Sequence, residues 1–333
     1  MNGNEKFTCK DQWEGLEKMG EYDESQCGIQ NPRPSNTGEF EPYPGQYPWV
    51  AQIRSITKSD TINRRCLGSL ISDQWVLLNA GCVLQNDGHV VPEIVIQLGR
   101  YNLSQQVSAS EEHLVLFTQQ IFIHPLFNGE LTQWNFDFAL AKLGFRLAPN
   151  LTRIRPICLP DNCDEYLDPQ SQIIDQCDWT EFTDWQNNNL DHLPSTNSSL
   201  LPHEVCNRYY NRRLSYVQIC TNGSMSICNG YSGAFPLMCR NNSNSKIFLL
   251  GNNAWTKRGD DCGQGYPVYS RVCAAMPWIK RTMLGVDEME DFPPLPEPID
   301  LDTSTILNKN KGDNLQWKVV CTLFPFMFSS VML

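Results

Sequence analysis

The chain is short of positive charge, short of histidine and without a long apolar run, and each shortage removes a class of function. Lys and Arg number 26 against 37 Asp and Glu, a net charge of −11 with an isoelectric point near 4.9. Such a balance repels phosphate backbones and excludes nucleic acid as a partner. No stretch of ~20 consecutive apolar residues occurs, which excludes a chain that crosses a membrane several times as helices. There is no C-x-x-C, and the five histidines (His89, His113, His124, His192, His203) do not pair at metal-ligand spacing. No metal site and no cofactor is therefore expected. The first residues, MNGNEKFTCKDQ, are polar and carry no apolar signal core.

What the chain does have is 14 cysteines in 333 residues. At that density, and without metal spacing, disulfides formed in an oxidising compartment explain them best. Five N-x-S/T sequons, at Asn102, Asn150, Asn197, Asn222 and Asn241, agree with a secreted or cell-surface glycoprotein. The expectation is an extracellular protein whose signal peptide is absent from this chain.

The length allows about two domains, or one large unit with tails. Residues 1–45 hold Cys9, Cys27 and the run NPRPSNTGEFEPYPG, which reads as an extended leader tethered by a disulfide. Residues 46–284 repeat short apolar or alternating runs between turn signals, among them PWVAQI, WVLL, EIVIQLG, VLFTQQIFI, DFALAKL and KIFLLGN. That pattern predicts an all-β sandwich or barrel. AAMPWIKRTML, after Ser270, suits a closing helix, and LPHEVCNRYY a second short one. Residues 285–318, opening with an acidic, proline-rich run, read as a disordered spacer. The apolar tail 319–333 behind it has the layout of a GPI-attachment signal, the alternative being an ordinary frayed tail.

Three segments, CLGSLISDQWVLLNAGC, NFDFALAKL and CNGYSGAFPLMC, stand in the order and rough spacing of a trypsin/chymotrypsin-like (peptidase S1) serine protease. With GQYPWVAQI, IFIHPLFN, RIRPICLP and YPVYSRVCAAMPWI they make residues 27–284 resemble that family. The resemblance implies two packed six-stranded β-barrels with a short C-terminal helix and a catalytic triad in the cleft between them. It also implies the bridges Cys27–Cys158, Cys66–Cys82, Cys177–Cys239, Cys206–Cys220 and Cys228–Cys262. Cys9, Cys163, Cys273 and Cys321 are left over, with Cys9–Cys163 a candidate pair.

Acyl transfer by this mechanism needs a hydroxyl nucleophile, a base in hydrogen-bond reach and a carboxylate that orients the base. Ser232 falls at the nucleophile position and Asp137 at the orienting one. The histidine of the family's T-A-A-H-C falls on Gly81 of Leu78-Asn79-Ala80-Gly81-Cys82, which has no side chain to take a proton. Losing that base costs on the order of 10⁶-fold in kcat in a comparable triad. His124 matches a common structural histidine of the family, and none of the others is placed near Gly81.

Other departures agree. The activation stretch matches Ser35-Asn36-Thr37-Gly38 behind Arg33-Pro34, and the aspartate that would pair with a freed amine is Tyr231. GYSGAFPL replaces the family's G-D-S-G-G-P-L with an extra residue before Pro236, which disturbs the Gly230/Ser232 oxyanion hole. The peptide-pairing strand reads Ala254-Trp255-Thr256, the pocket wall Pro267-Val268-Tyr269 lacks a glycine, and G-W-G reads Glu181-Phe182-Thr183. Ser226, at the base of the specificity pocket, excludes a preference for Arg or Lys. Asp137 and Ser232 then read as a buried aspartate and a turn serine.

The expected function is that of an extracellular pseudoenzyme, a non-catalytic serine protease homologue that binds a protease, zymogen or surface ligand. The leader CGIQNPRPSNTGEFEPYPGQYPWVAQI is similar to the linker of clip-domain serine protease homologues, which implies a cofactor or regulator in a proteolytic or immune cascade. The alternatives are a serine endopeptidase with weak or unconventional activity and a GPI-tethered surface binding protein.

Overall fold

Alternation along the strands decides which side of each one is covered. In β4 (Ile94–Leu98) the even positions Ile94, Ile96 and Leu98 are fully buried while Val95 and Gln97 are half-exposed. β1 (Val50–Ser55), β2 (Arg65–Leu70), β3 (Trp75–Leu78), β5 (Leu114–Ile123) and β6 (Ala139–Leu143) join it as a closed antiparallel barrel in the order β1-β2-β3-β6-β5-β4. β3 is buried at every residue and so reads as a continuous apolar run.

This computed structural model describes residues 24–38, 43–55, 65–85, 88–100, 112–127, 129, 134–160, 163, 174–180, 195–211, 213–222, 236–255 and 265–285. All belong to one unit, Met1–Met289, and the second unit, Glu290–Leu333, falls outside them.

Six later strands form a second sheet in the order β8-β7-β10-β11-β12-β9. They are β7 (Ile174–Thr180), β8 (Ser195–Ser198), β9 (Gln218–Cys220), β10 (Pro236–Asn241), β11 (Ile247–Trp255) and β12 (Val268–Arg271). Its edges meet. Leu200, just past β8, bridges Thr221, just past β9, and Leu201 N–H donates to the Cys220 carbonyl at 3.0 Å. One isolated bridge thus brings the two ends of this six-stranded sheet together, whereas the first sheet is a closed barrel.

α1 (His203–Tyr209) packs Cys206 against Tyr210, Leu214, Cys220 and Val268. α2 (Val272–Leu284) ends the domain, with Gly285 in the left-handed region (φ 70°) and its N–H on the Thr282 carbonyl. A glycine there ends a helix without strain.

The leader is pinned to the segment that connects β6 to β7 and to β11. Gly28 N–H donates to the Pro156 carbonyl at 2.9 Å, and Ile247 N–H donates to the Gly28 carbonyl at 3.0 Å. Gly28 has φ 68°, and a Cβ there would collide with the Ile247 carbonyl. The chain then doubles back, because Tyr43 Oη–H reaches the Asn31 carbonyl at 3.1 Å and Asn31 N–H reaches the Gly45 carbonyl.

Five disulfides join described residues: Cys27–Cys158, Cys66–Cys82, Cys163–Cys273, Cys177–Cys239 and Cys206–Cys220. Cys163–Cys273 corrects the Cys9–Cys163 candidate and removes Cys273 from the leftover set. The fold brings the Cα atoms of Cys163 and Cys273 to 5.5 Å, an ordinary bridging distance. Cys9, Cys228, Cys262 and Cys321 lie outside the described residues.

Candidate functional site

Strand register builds this site. β3 and β6 are antiparallel with Leu78 opposite Ala139, so the residues just beyond those strand ends lie side by side. On one side come Asn79 and the 3-10 helix Ala80–Cys82, tied down by Cys66–Cys82. On the other comes Asp137, buried.

The Asp137 carboxylate is held by amides. Its Oδ1 accepts the Gly81 N–H at 3.0 Å, and its Oδ2 accepts Asn79 Nδ2–H at 2.9 Å. The Ala80 N–H adds a third donor. Burial pushes the carboxyl up to about 7 from its usual 3.8, against the pull of the Gly81, Asn79 and Ala80 donors. No histidine side chain is among these partners.

Asn79 also donates Nδ2–H to the Asn253 carbonyl of β11 at 2.5 Å. Both groups facing that nitrogen are acceptors, which settles the orientation of the amide. One side chain therefore ties the end of the first barrel to the strand that leads into Ala254 and Trp255. Asn253 is fixed in turn, its Nδ2–H donating to the Val268 carbonyl at 3.2 Å. A second tie between the barrels is Ser215 Oγ–H to Asn135 Oδ1 at 2.7 Å.

Gly81 is not in the left-handed region, so its backbone does not demand glycine. A Cβ built there would lie 3.4 Å from Trp134 Cζ3 and 3.9 Å from each Asp137 oxygen. Any longer side chain at 81 must therefore share space with the Trp134 ring. Trp134 and Phe136, on either side of Asn135, both take positive φ (59° and 52°). Bulky residues hold that conformation only where their surroundings impose it.

The histidines separate cleanly. His124 is buried, stacked on Phe136 at 4.4 Å and packed on Trp278 at 4.8 Å, and its Nδ1 accepts the Leu126 N–H. Burial drives its pKa down to about 3, so the ring is neutral. His203 opens α1 and stacks on Tyr216, His89 sits exposed in a turn, and His113 precedes β5. His192 lies outside the described residues.

Ser226, Cys228, Gly230, Tyr231, Ser232, Thr256, Cys262 and Glu181–Thr183 also lie outside the described residues, as do Asn102, the spacer beyond Gly285 and the apolar tail. Ser35–Gly38 forms part of an exposed turn in which Thr37 N–H meets the Pro34 carbonyl. Pro267–Tyr269 is buried. Asn150 and Asn222 are exposed, Asn241 is half-buried, and Asn197 lies in β8. Among the described residues no cluster of His, Cys, Asp and Glu fits a metal ion, and no helix is long and apolar enough to cross a membrane.

Two six-stranded antiparallel layers stapled by disulfides, with a buried aspartate at the strand ends between them, define a trypsin-like serine protease domain. The family model described as Trypsin matches residues 36–279, and the chain belongs to that family. Among curated relatives, Ovochymase of Halocynthia roretzi is 29% identical over 248 residues, which is 72% of this chain and 14% of that protein. The multiple disulfides of the present chain are typical of extracellular proteins.

Sequence reasoning missed Asn79 and Trp134. Asn79 stood inside the quoted LNAGC motif, and its type there, a polar residue in a buried run, was the available signal.

Proposed function

We propose that this chain is a secreted, non-catalytic member of the trypsin family that acts by binding a protein partner. The observation that carries the reading is the state of Asp137. In a working triad its carboxylate orients an imidazole and stabilises it as it takes up a proton. Here Gly81 offers only its backbone N–H, and the Oδ2 that would receive the imidazole already accepts from Asn79. A buried, amide-bound carboxyl of this kind serves to hold the cleft together.

Without a base, the Ser232 hydroxyl is a poor nucleophile near neutral pH. The departures at Tyr231 and Thr256 add to the reading, since each removes a part that activation or substrate binding uses. The partner class is an extracellular protease, zymogen or surface ligand, with a cofactor or regulator role in a proteolytic cascade. Family membership keeps a weakly active endopeptidase as the alternative.

The test is labelling of the secreted protein by a fluorophosphonate probe, with Ser232→Ala and an active trypsin as controls. Absence of labelling supports the binding reading. Labelling that vanishes in Ser232→Ala returns the chain to the enzymes.

A further inference from the structure

The chain carries a net charge of −11, yet residues 203–216, HEVCNRYYNRRLSY, hold Arg208, Arg212 and Arg213 against the single acid Glu204. The same stretch concentrates exposed apolar surface. Val205 is 41% exposed, Tyr209 41% and Tyr216 45%. Val205, Arg208 and Tyr209 stand at i, i+3 and i+4 and share one face of α1. Cys206, the buried residue of the helix, lies beside this face and turns inward.

This surface is built on a rigid base. Cys206–Cys220 bonds α1 to β9, the Tyr210 hydroxyl donates to the Tyr266 carbonyl, and Leu214 N–H donates to Asn207 Oδ1 at 3.1 Å. The exposed rings are themselves braced. Tyr209 packs on Tyr210 at 4.9 Å and on Tyr266 at 4.8 Å, and Tyr216 stacks on His203 at 4.7 Å. Side chains already held in place lose little freedom when a partner covers them. Arg208 and Arg213 are exposed and form no ion pair among the described residues.

We propose that α1 and the turn that follows it, with Val205, Arg208, Tyr209, Arg213 and Tyr216, form a docking surface for an acidic segment of a protein partner that carries an apolar side chain between its carboxylates. Charge selects the partner's sign: an acidic segment is repelled by the net field of this chain and attracted where the arginines cluster. The exposed Val205 and the two tyrosines select a protein, because braced Tyr and Arg around an apolar centre are what dominate protein–protein contacts. A sulfated polysaccharide would match the arginines and leave the apolar surface uncovered. The inference rests on the binding reading above and gives that partner a chemistry.

The test uses the full chain, secreted, with fluorescence anisotropy on three labelled probes. These are a peptide of repeated Glu-Phe-Asp-Leu, the same peptide with Lys at every acid, and heparin. The acidic peptide is expected to bind, to weaken as salt rises, and to weaken about tenfold in Arg208→Glu and in Tyr209→Ala. The basic peptide should not bind, and Arg54→Glu on β1 should leave binding unchanged. Both surface variants are expected to keep the wild-type melting temperature, which separates lost docking from lost folding. Equal binding by wild type and Arg208→Glu, no binding of the acidic peptide, or binding of heparin alone would overturn the proposal. Fluorophosphonate labelling bears only on the proposed function, since no residue of this face takes part in it.

Discussion

Asn79 and Asp137 meet through a hydrogen bond of 2.9 Å between Nδ2 and Oδ2, and the same nitrogen reaches the Asn253 carbonyl in the second barrel. An amide thus stands between a carboxylate and a backbone oxygen, two acceptors that would otherwise face each other in a buried place. Removing a donor from buried acceptors costs more than the bond itself contributes, because desolvation of the acceptors is left uncompensated.

Asn79→Ala should therefore destabilise the domain by ~2–4 kcal/mol, read as a lower midpoint in urea unfolding. An unchanged midpoint would mean that water or another side chain takes over both acceptors.

Gly81→Ala and Gly81→His should part company. The backbone at 81 accepts an L-residue, so alanine should be neutral or stabilising by ~0.4–1 kcal/mol through the unfolded chain. Histidine must compete with the Trp134 ring for room and with Asn79 for Asp137 Oδ2. Gly81→His should lower the melting temperature and gain no peptide hydrolysis. Turnover comparable to an active relative in that single variant would show that the cleft is intact apart from one missing side chain.

Two buried groups give opposite pH dependences. Asp137 is raised to about 7, so between 3.8 and 7 the folded state binds more protons than the unfolded one. Its contribution is fully present at low pH and is lost as pH climbs through that window. His124 is lowered to about 3 from 6.5, so below 6.5 the unfolded state binds more protons, and stability is lost as pH falls towards 3. In the wild type the two slopes offset each other over their shared range. Asp137→Asn should leave a stability that rises with pH there, and His124→Phe one that falls. Urea titrations across the window decide it, and identical slopes in both variants would contradict the assignment.

The Cys163–Cys273 bridge closes a long loop onto α2. Cys163→Ser with Cys273→Ser should lower stability by ~2–4 kcal/mol. A peptide map without reductant should recover the two cysteines linked, and a Cys9–Cys163 peptide would contradict the structure.

Strands and helices were legible wherever burial follows a simple period. EIVIQLG became β4 because every second residue is apolar, and AAMPWIKRTML lies within α2 although Pro277 removes one backbone donor. The site was legible only in part. Asp137 and Gly81 stand in motifs, but the role of Asn79 depends on register with β6 and on a carbonyl 174 residues away. Nothing local in LNAGC reports either. Trp134 escaped notice for the same reason, since its proximity to Gly81 is a matter of loop conformation. Cys163 and Cys273 were out of reach because many pairings fit the same spacings until the chain is folded.

Gly28 lies between the Pro156 carbonyl and the Ile247 N–H, and its neighbour Cys27 is bonded to Cys158. These partners are made long after the leader leaves the ribosome. The earliest part of the domain to be synthesised is thus among the last to find its place, and until residue 158 appears the Cys27 thiol must wait unpaired or pair wrongly. Correct pairing of Cys27 therefore depends on thiol–disulfide exchange that can undo an early mistake, a step that is slow beside the folding of the strands themselves.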